Sequence, residues 1–196
     1  MRKTIIGVMG PGDLATETDI NNAYELGKLI AQEEWILLTG GRNVGVMDAA
    51  NKGAKKAGGL TIGILPSNNT KNVSDAVDIA ILTDMGNARN NINVLSSNVI
   101  IACGMGLGTV SEIALALKNK KPVILLSEDK KSQQLFYNLS PNLTFMAVDT
   151  EQTINLIKEI INNLNIAIRN DSWELGVPPL QRGVRGDQNS LNSHNW

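Results

Sequence analysis

The chain has 196 residues, with 18 basic and 19 acidic side chains, a formal net charge of −1 and 42% hydrophobic residues. These values suit one globular domain with a sizeable core, and they exclude the basic footprint of a nucleic-acid binder. One cysteine excludes an internal disulfide framework and suits a reducing compartment, and with a single histidine it leaves no zinc set.

The opening MRKTIIGVMG sets two basic residues before an apolar run. The run is too short for a signal peptide and breaks into GPGD rather than a small-residue cleavage site. It reads as a first strand (4–10). No stretch approaches the length of a membrane span, so a cytoplasmic protein is expected. From 17 to 33, Ile20, Ala23, Tyr24, Gly27 and Ile30 fall on one helical face. WILLT (35–39) is apolar throughout, as a strand covered on both faces should be. The helix after GGRNVG carries Val46, Ala49, Ala50, Gly53 and Ala57 on its inner stripe. Lys55 and Lys56 close its last turn, and Gly58 is placed to cap it.

LTIGILP (60–66), VDIAIL (77–82) and VIIAC (99–103) read as strands, with a helix around 86–96. A helix after Thr109 puts Val110, Ile113, Ala114 and Leu117 on one face. PVILL (122–126) and TFMAV (144–148) are two more strands, and 150–163 is a final helix. Strands alternating with helices imply right-handed βαβ crossovers: an α/β, Rossmann-like parallel sheet with helices on both faces. Such sheets bind ligands beyond the carboxyl ends of their strands, where the strand order switches. Residues 1–165 are expected to form this domain. From 166 to 196 Pro-Pro, several glycines and many amides without periodicity suggest an extended or disordered tail. Trp173 and Leu175 would be its anchors if it docks, and His194 has no expected role.

Three glycine-rich loops end at the same sheet edge. In GPGDLA, Gly10, Gly12 and Ala15 fit the pattern G-x-G-x-x-G/A. A nicotinamide site also needs an acidic residue ending the second strand, where Thr39, Gly40 and Gly41 stand instead. TGGRNVG places Gly40, Gly41 and Gly45 between strand and helix, as an anion site or simply a tight turn. GMGLGTVSE crowds Gly104, Gly106 and Gly108 against a helix start. There Thr109 and Glu112 read as a capping box, in which Glu112 serves only its own helix terminus. Capping explains neither Gly104 nor Gly106, and three glycine loops together favour a phosphate-bearing ligand. Arg89 belongs at the same rim, able to clamp a phosphate or to pair with Glu112. Cys103 reads as a small core residue, and Lys118, Lys120 and Lys121 as the exposed end of a helix.

GGRNVGVM and GMGLGTVSE, with Arg89 upstream of Glu112, resemble the Lonely Guy (LOG), or lysine decarboxylase-like, superfamily over residues 4–163. That family carries a GGG-x-x-G-hydrophobic-M loop and a P-G-G-x-G-T-x-x-E loop, with an arginine preceding the glutamate. The resemblance puts Arg89 and Glu112 on the positions that carry catalysis in its hydrolases, which cleave the N-glycosidic bond of cytokinin riboside monophosphates or AMP. Here Gly104 replaces the proline, Met105 a glycine and Ser111 the first of two paired acids, and MGNARNN replaces Met-His-x-Arg-Lys. These departures look like the branch of molybdenum cofactor carrier proteins, where the scaffold binds a pterin phosphate and needs no bond cleavage.

The resemblance therefore implies a carrier for the molybdenum cofactor (molybdopterin), with a nucleoside 5′-monophosphate phosphoribohydrolase as the alternative. Its implied ligand site is Gly10, Gly12, Gly40, Gly41, Asn43, Gly45, Arg89, Gly104, Gly106, Gly108 and Thr109. Arg89 and Glu112 are catalytic only in the hydrolase reading. No protein-held metal, nucleic acid or membrane partner is implied. A homo-oligomer is, as a dimer or tetramer, together with contacts to molybdenum enzymes or cofactor-biosynthesis proteins.

Overall fold

Seven strands among residues 3–169, the part of the chain that this computed structural model describes, hydrogen-bond into one parallel sheet. They are β1 (Ile5–Met9), β2 (Ile36–Thr39), β3 (Thr61–Leu65), β4 (Ile79–Leu82), β5 (Val99–Cys103), β6 (Val123–Leu126) and β7 (Thr144–Ala147). Their order is β4-β3-β2-β1-β5-β6-β7. The chain winds outward from β1 to β4, then returns to lay β5 beside β1, with Ile6 opposite Val99. That return makes the β1/β5 boundary the switch point of a Rossmann-like α/β fold.

The helices are α1 (Glu17–Gln32), α2 (Gly45–Lys56), α3 (Asn90–Ser96), α4 (Leu107–Lys118), α5 (Lys130–Leu139) and α6 (Thr150–Arg169). A 3-10 turn, Gly86–Arg89, runs directly into α3. Alternate residues of a strand face opposite layers, and β5 shows this directly. Val99, Ile101 and Cys103 pack toward α1, α2 and α6, whereas Ile100 and Ala102 pack with residues of α3, α4 and α5. All five are fully buried, as VIIAC implies. By contrast β4 is one of the sheet's two edges, and its residues are exposed although the sequence is equally apolar.

Several local expectations shift. Ala23, Leu26, Gly27 and Ile30 form the buried face of α1, while Ile20 and Tyr24 lie at its half-exposed margin. Ala57 is the exposed C-cap of α2 rather than part of its inner stripe, and Gly58 follows with φ +77°, the left-handed geometry that ends a helix. The fully buried residues of α4 are Thr109, Glu112, Ile113 and Ala116, with Val110 and Leu117 packed beside them against the core as expected; Ala114 faces solvent. The polar stretch KKSQQLFYNL gives little apolar periodicity, yet it forms α5. Asp129 caps that helix by accepting from the Lys131 and Ser132 amides, and Phe136 anchors it in the core.

The last helix continues past 163 to Arg169. Lys118 and Lys120 are exposed as expected, but Lys121 reaches back to donate to the Ser97 carbonyl at 2.7 Å and closes the end of α3. No helix among the described residues is long and apolar enough to cross a membrane. Trp173, Leu175 and His194 lie outside the described residues.

Candidate functional site at the switch point

A cavity of about 290 Å³ opens at the carboxyl ends of β1, β2 and β5. The β1 loop supplies Gly10 to Leu14, the β2 loop Gly40 and Arg42, and the segment entering α3 Asn87, Arg89 and Asn90. The fourth side is the start of α4, with Gly106, Leu107, Gly108, Thr109 and Glu112.

Arg89 is 8% exposed, and its guanidinium lies against the backbone of Gly40. A Cβ at Gly40 would stand 2.6 Å from Arg89 Nη2 and 2.7 Å from Met47 Sδ, so any side chain there would push the guanidinium or the thioether from its present place. Arg89 Nη1 is 3.6 Å from Glu112 Oε1, close enough for attraction but too long for a hydrogen bond. Its Nε is buried with no partner among the described residues. Burial weakens the guanidinium's hold on its proton, the Glu112 carboxylate opposes that effect, and the nearby charge of Arg42 adds to it.

Glu112 is 5% exposed and does not cap its helix. The N-cap of α4 is Gly106, which makes no side-chain bond, and Thr109 is the helix's third residue. Thr109 therefore sits too far along to act as a cap, and its buried Oγ1 has no partner among the described residues. The expected capping box is absent for that reason. A genuine one occurs at the start of α1, between Thr16 and Asp19. Glu112 instead accepts a 2.8 Å hydrogen bond from Asn93 Nδ2 on α3. Burial raises the carboxyl above the usual glutamate range, while Asn93 and Arg89 pull it back.

The uncapped start of α4 matters for ligands. Its first internal bond runs from the Val110 amide to the Gly106 carbonyl. The amides of Leu107, Gly108 and Thr109 have no intrahelical acceptor, and the positive end of the helix faces the cavity. At the mouth, Arg42 is partly exposed, 3.9 Å from Asp13 Oδ2.

Of the residues expected in the site, Gly10, Gly12, Gly40, Arg89, Gly106, Gly108, Thr109 and Glu112 line this cavity. Gly41, Asn43, Gly45 and Gly104 are not among its lining residues. The three glycines have φ of +73°, +55° and +76° and shape the turns around the cavity. The Asn43 amide is spent on the Asn72 carbonyl, tying down the β2 loop. Sequence reasoning missed Asp13, Arg42, Asn87 and Asn90, and also Asn93 behind the cavity. Arg42 was visible inside GGRNVG, and Asn93 lies one helical turn after Arg89.

A larger cavity, about 510 Å³, lies on the far side of Leu14 and is lined by Asp19, Glu128, Asp129 and Asp149. Size does not make it the better candidate. Asp129 and Asp149 already accept from backbone amides at the starts of α5 and α6, and Asp19 accepts from the Thr16 amide. The smaller cavity has the unpartnered polar atoms.

Known proteins share this architecture. The molybdenum cofactor binding protein of the phototrophic bacterium Rippkaea orientalis superposes with a TM-score of 0.81 and 72% identity, over 82% of this chain and 99% of that one. The Moco carrier protein of Chlamydomonas reinhardtii gives 0.78 and 53% identity, again over 82% and 99%. A cytokinin riboside 5′-monophosphate phosphoribohydrolase of Mycobacterium tuberculosis is 33% identical over 93 residues, 46% of this chain and 50% of that protein. The SLOG cluster4 family model matches residues 3–155, which include every strand and the whole switch-point cavity, and the chain belongs to that family.

Proposed function

We propose that this protein is a molybdenum cofactor carrier that holds the cofactor, a phosphate-bearing pterin, in the switch-point cavity. One observation carries the reading. A chain 72% identical to a molybdenum cofactor binding protein presents a cavity whose buried Arg89 Nε and Thr109 Oγ1 lack protein partners. Buried polar groups are normally paired, so a cavity left with open donors beside a helix N-terminus suits an oxyanion. In this reading residues 1–165 are the binding domain. The phosphate is held by Gly106, Gly108 and Thr109, with Arg89 and Arg42 adding charge. Gly10, Gly12 and Gly40 let the ligand approach the backbone, while Gly41, Asn43, Gly45 and Gly104 shape the loops.

The apolar exposed edge at β4, with Ile79, Ile81 and Leu82, supports a homo-oligomer. A lone buried cysteine fits action in the reducing cytoplasm, with the cofactor passed to or from molybdenum enzymes or cofactor-biosynthesis proteins. No protein-held metal is part of this reading.

A second reading, a nucleoside 5′-monophosphate phosphoribohydrolase, is favoured by one feature: Glu112 and Arg89 meet in the cavity. A buried carboxylate beside a ribose can activate water or stabilise an oxocarbenium-like transition state. The two readings separate cleanly. The full chain is mixed with molybdenum cofactor, passed through gel filtration, and assayed by fluorescence of the oxidised pterin. Free adenine is measured in parallel after incubation with AMP. Stoichiometric pterin retention with intact AMP is expected. AMP turnover that vanishes in Glu112→Gln, without pterin retention, would replace the carrier with the hydrolase.

A further inference from the structure

Asn93 occupies a position that an apolar residue would fill at lower cost. It is fully buried on α3, next to Val94 of the inner core. Its Nδ2 donates to Glu112 Oε1 at 2.8 Å and lies 3.8 Å from Met9 Sδ, while its Oδ1 has no partner among the described residues. A half-satisfied buried amide destabilises a core, so an account of it must come from the one strong bond it makes.

That bond ends on a particular atom. Glu112 Oε1 is also the oxygen 3.6 Å from Arg89 Nη1. Asn93 and Arg89 approach the same carboxylate oxygen, and Asn93 holds it at hydrogen-bond length while Arg89 does not. An arginine and a carboxylate free to move would close to a direct, charge-assisted pair and spend the guanidinium's donors on it. Here the pair stays open, Arg89 Nε remains unpartnered, and Arg89 lines the cavity.

We propose that Asn93 is a positioning residue that holds Glu112 short of a closed ion pair with Arg89, and so keeps the guanidinium available to the ligand's oxyanion. The inference rests on reading the cavity as an anion site. Glu112 then acts as a tethered counter-charge. It stabilises a buried arginine in the empty protein without competing fully with the incoming anion.

The test uses inorganic phosphate as the probe, titrated into the full chain by calorimetry. Asn93→Leu is expected to weaken phosphate binding about tenfold, because a closed Glu112–Arg89 pair must first be broken. In a Glu112→Gln background the same change is expected to have no effect, since a neutral amide does not compete for the guanidinium. Asn93→Ala serves as a second variant if leucine does not fold, with thermal melts confirming the native state. A crystal structure of ligand-free Asn93→Leu is expected to show the Glu112 carboxylate about 2.8 Å from Arg89.

Equal weakening in both backgrounds, no weakening in either, or an unmoved carboxylate in that crystal structure would each overturn the proposal. Cofactor retention by the unmutated chain reports separately on the carrier reading. Coupling without retention would sink the carrier and leave Asn93's role standing. Retention without coupling would do the reverse.

Discussion

Two other residues set how Arg89 and Glu112 meet. Gly40 leaves the space in which the guanidinium lies, and Asn93 holds the carboxylate that faces it. Arg89→Ala removes a cation with an open donor and is expected to weaken binding of a phosphate-bearing ligand by about 1.5–3 kcal/mol, measured by calorimetry. Glu112 makes a pH-dependent contribution whose sign follows from its raised affinity for the proton. Between the ordinary glutamate value and the raised one, the folded chain binds more protons than the unfolded chain. Stability contributed by this group must therefore fall as pH rises through that window. Urea denaturation from about pH 4.5 upward is expected to show this decline in the unmutated protein and a flatter profile in Glu112→Gln. A profile that keeps its full slope in the variant would assign the effect to other groups. Asp78 acts at the opposite end. The Lys55 hydrogen bond holds its carboxyl below the usual range, so its stabilising effect is present above that range and lost in acid.

The start of α4 carries the clearest trade between stability and binding among the elements. A helix with glycine at its N-cap gives up the side-chain hydrogen bond that serine, threonine or aspartate supplies there, at a cost of roughly a few tenths of a kcal/mol. Both α1 and α5 have such caps, from Thr16 and Asp129, and α4 has Gly106 instead. Its first-turn residues line the cavity, and the buried Thr109 hydroxyl there has no partner among the described residues. Thr109→Val keeps the shape and removes only that hydroxyl. Thermal unfolding is expected at an unchanged or slightly higher temperature, while phosphate affinity falls. A marked loss of stability with unchanged affinity would show that the hydroxyl serves the fold and not the ligand.

For the whole molecule, the strand order explains both the cavity and the exposed edge. Because the chain winds out to β4 before returning to β5, the connections that leave β1 and β5 run off in opposite directions although the strands stay paired through Met9 and Ala102, and β4 is left with a neighbour on one side only. Ile81, 42% exposed, sits on that edge with Ile79 and Leu82. An apolar strand edge invites pairing with another chain, and a charge there discourages it. Ile81→Lys is expected to lower the mass measured by light scattering, with the melt largely retained. A protein that is monomeric before the change, or oligomeric after it, would remove β4 from the interface.

Much of this architecture was legible in the sequence because it rests on local physics. VIIAC is buried on both faces, Gly58 ends α2 in the left-handed region, and the three glycine loops fall at strand ends; residue type and period alone imply each of these. KKSQQLFYNL was not legible, since its helix depends on an aspartate cap and one anchored phenylalanine rather than on an apolar stripe. Nor could the sequence assign Glu112. Thr109 and Glu112 match a capping box in any helix whose N-cap is Thr109, and the choice between capping and burial turned on the N-cap falling three residues earlier, at Gly106. VDIAIL and VIIAC look alike as strings, yet one became an exposed edge and the other the centre, because burial belongs to a strand's place in the sheet. Asn93, Arg89 and Glu112 come together only because α3 and α4 pack side by side on one face of that sheet, a contact between segments that no local pattern encodes.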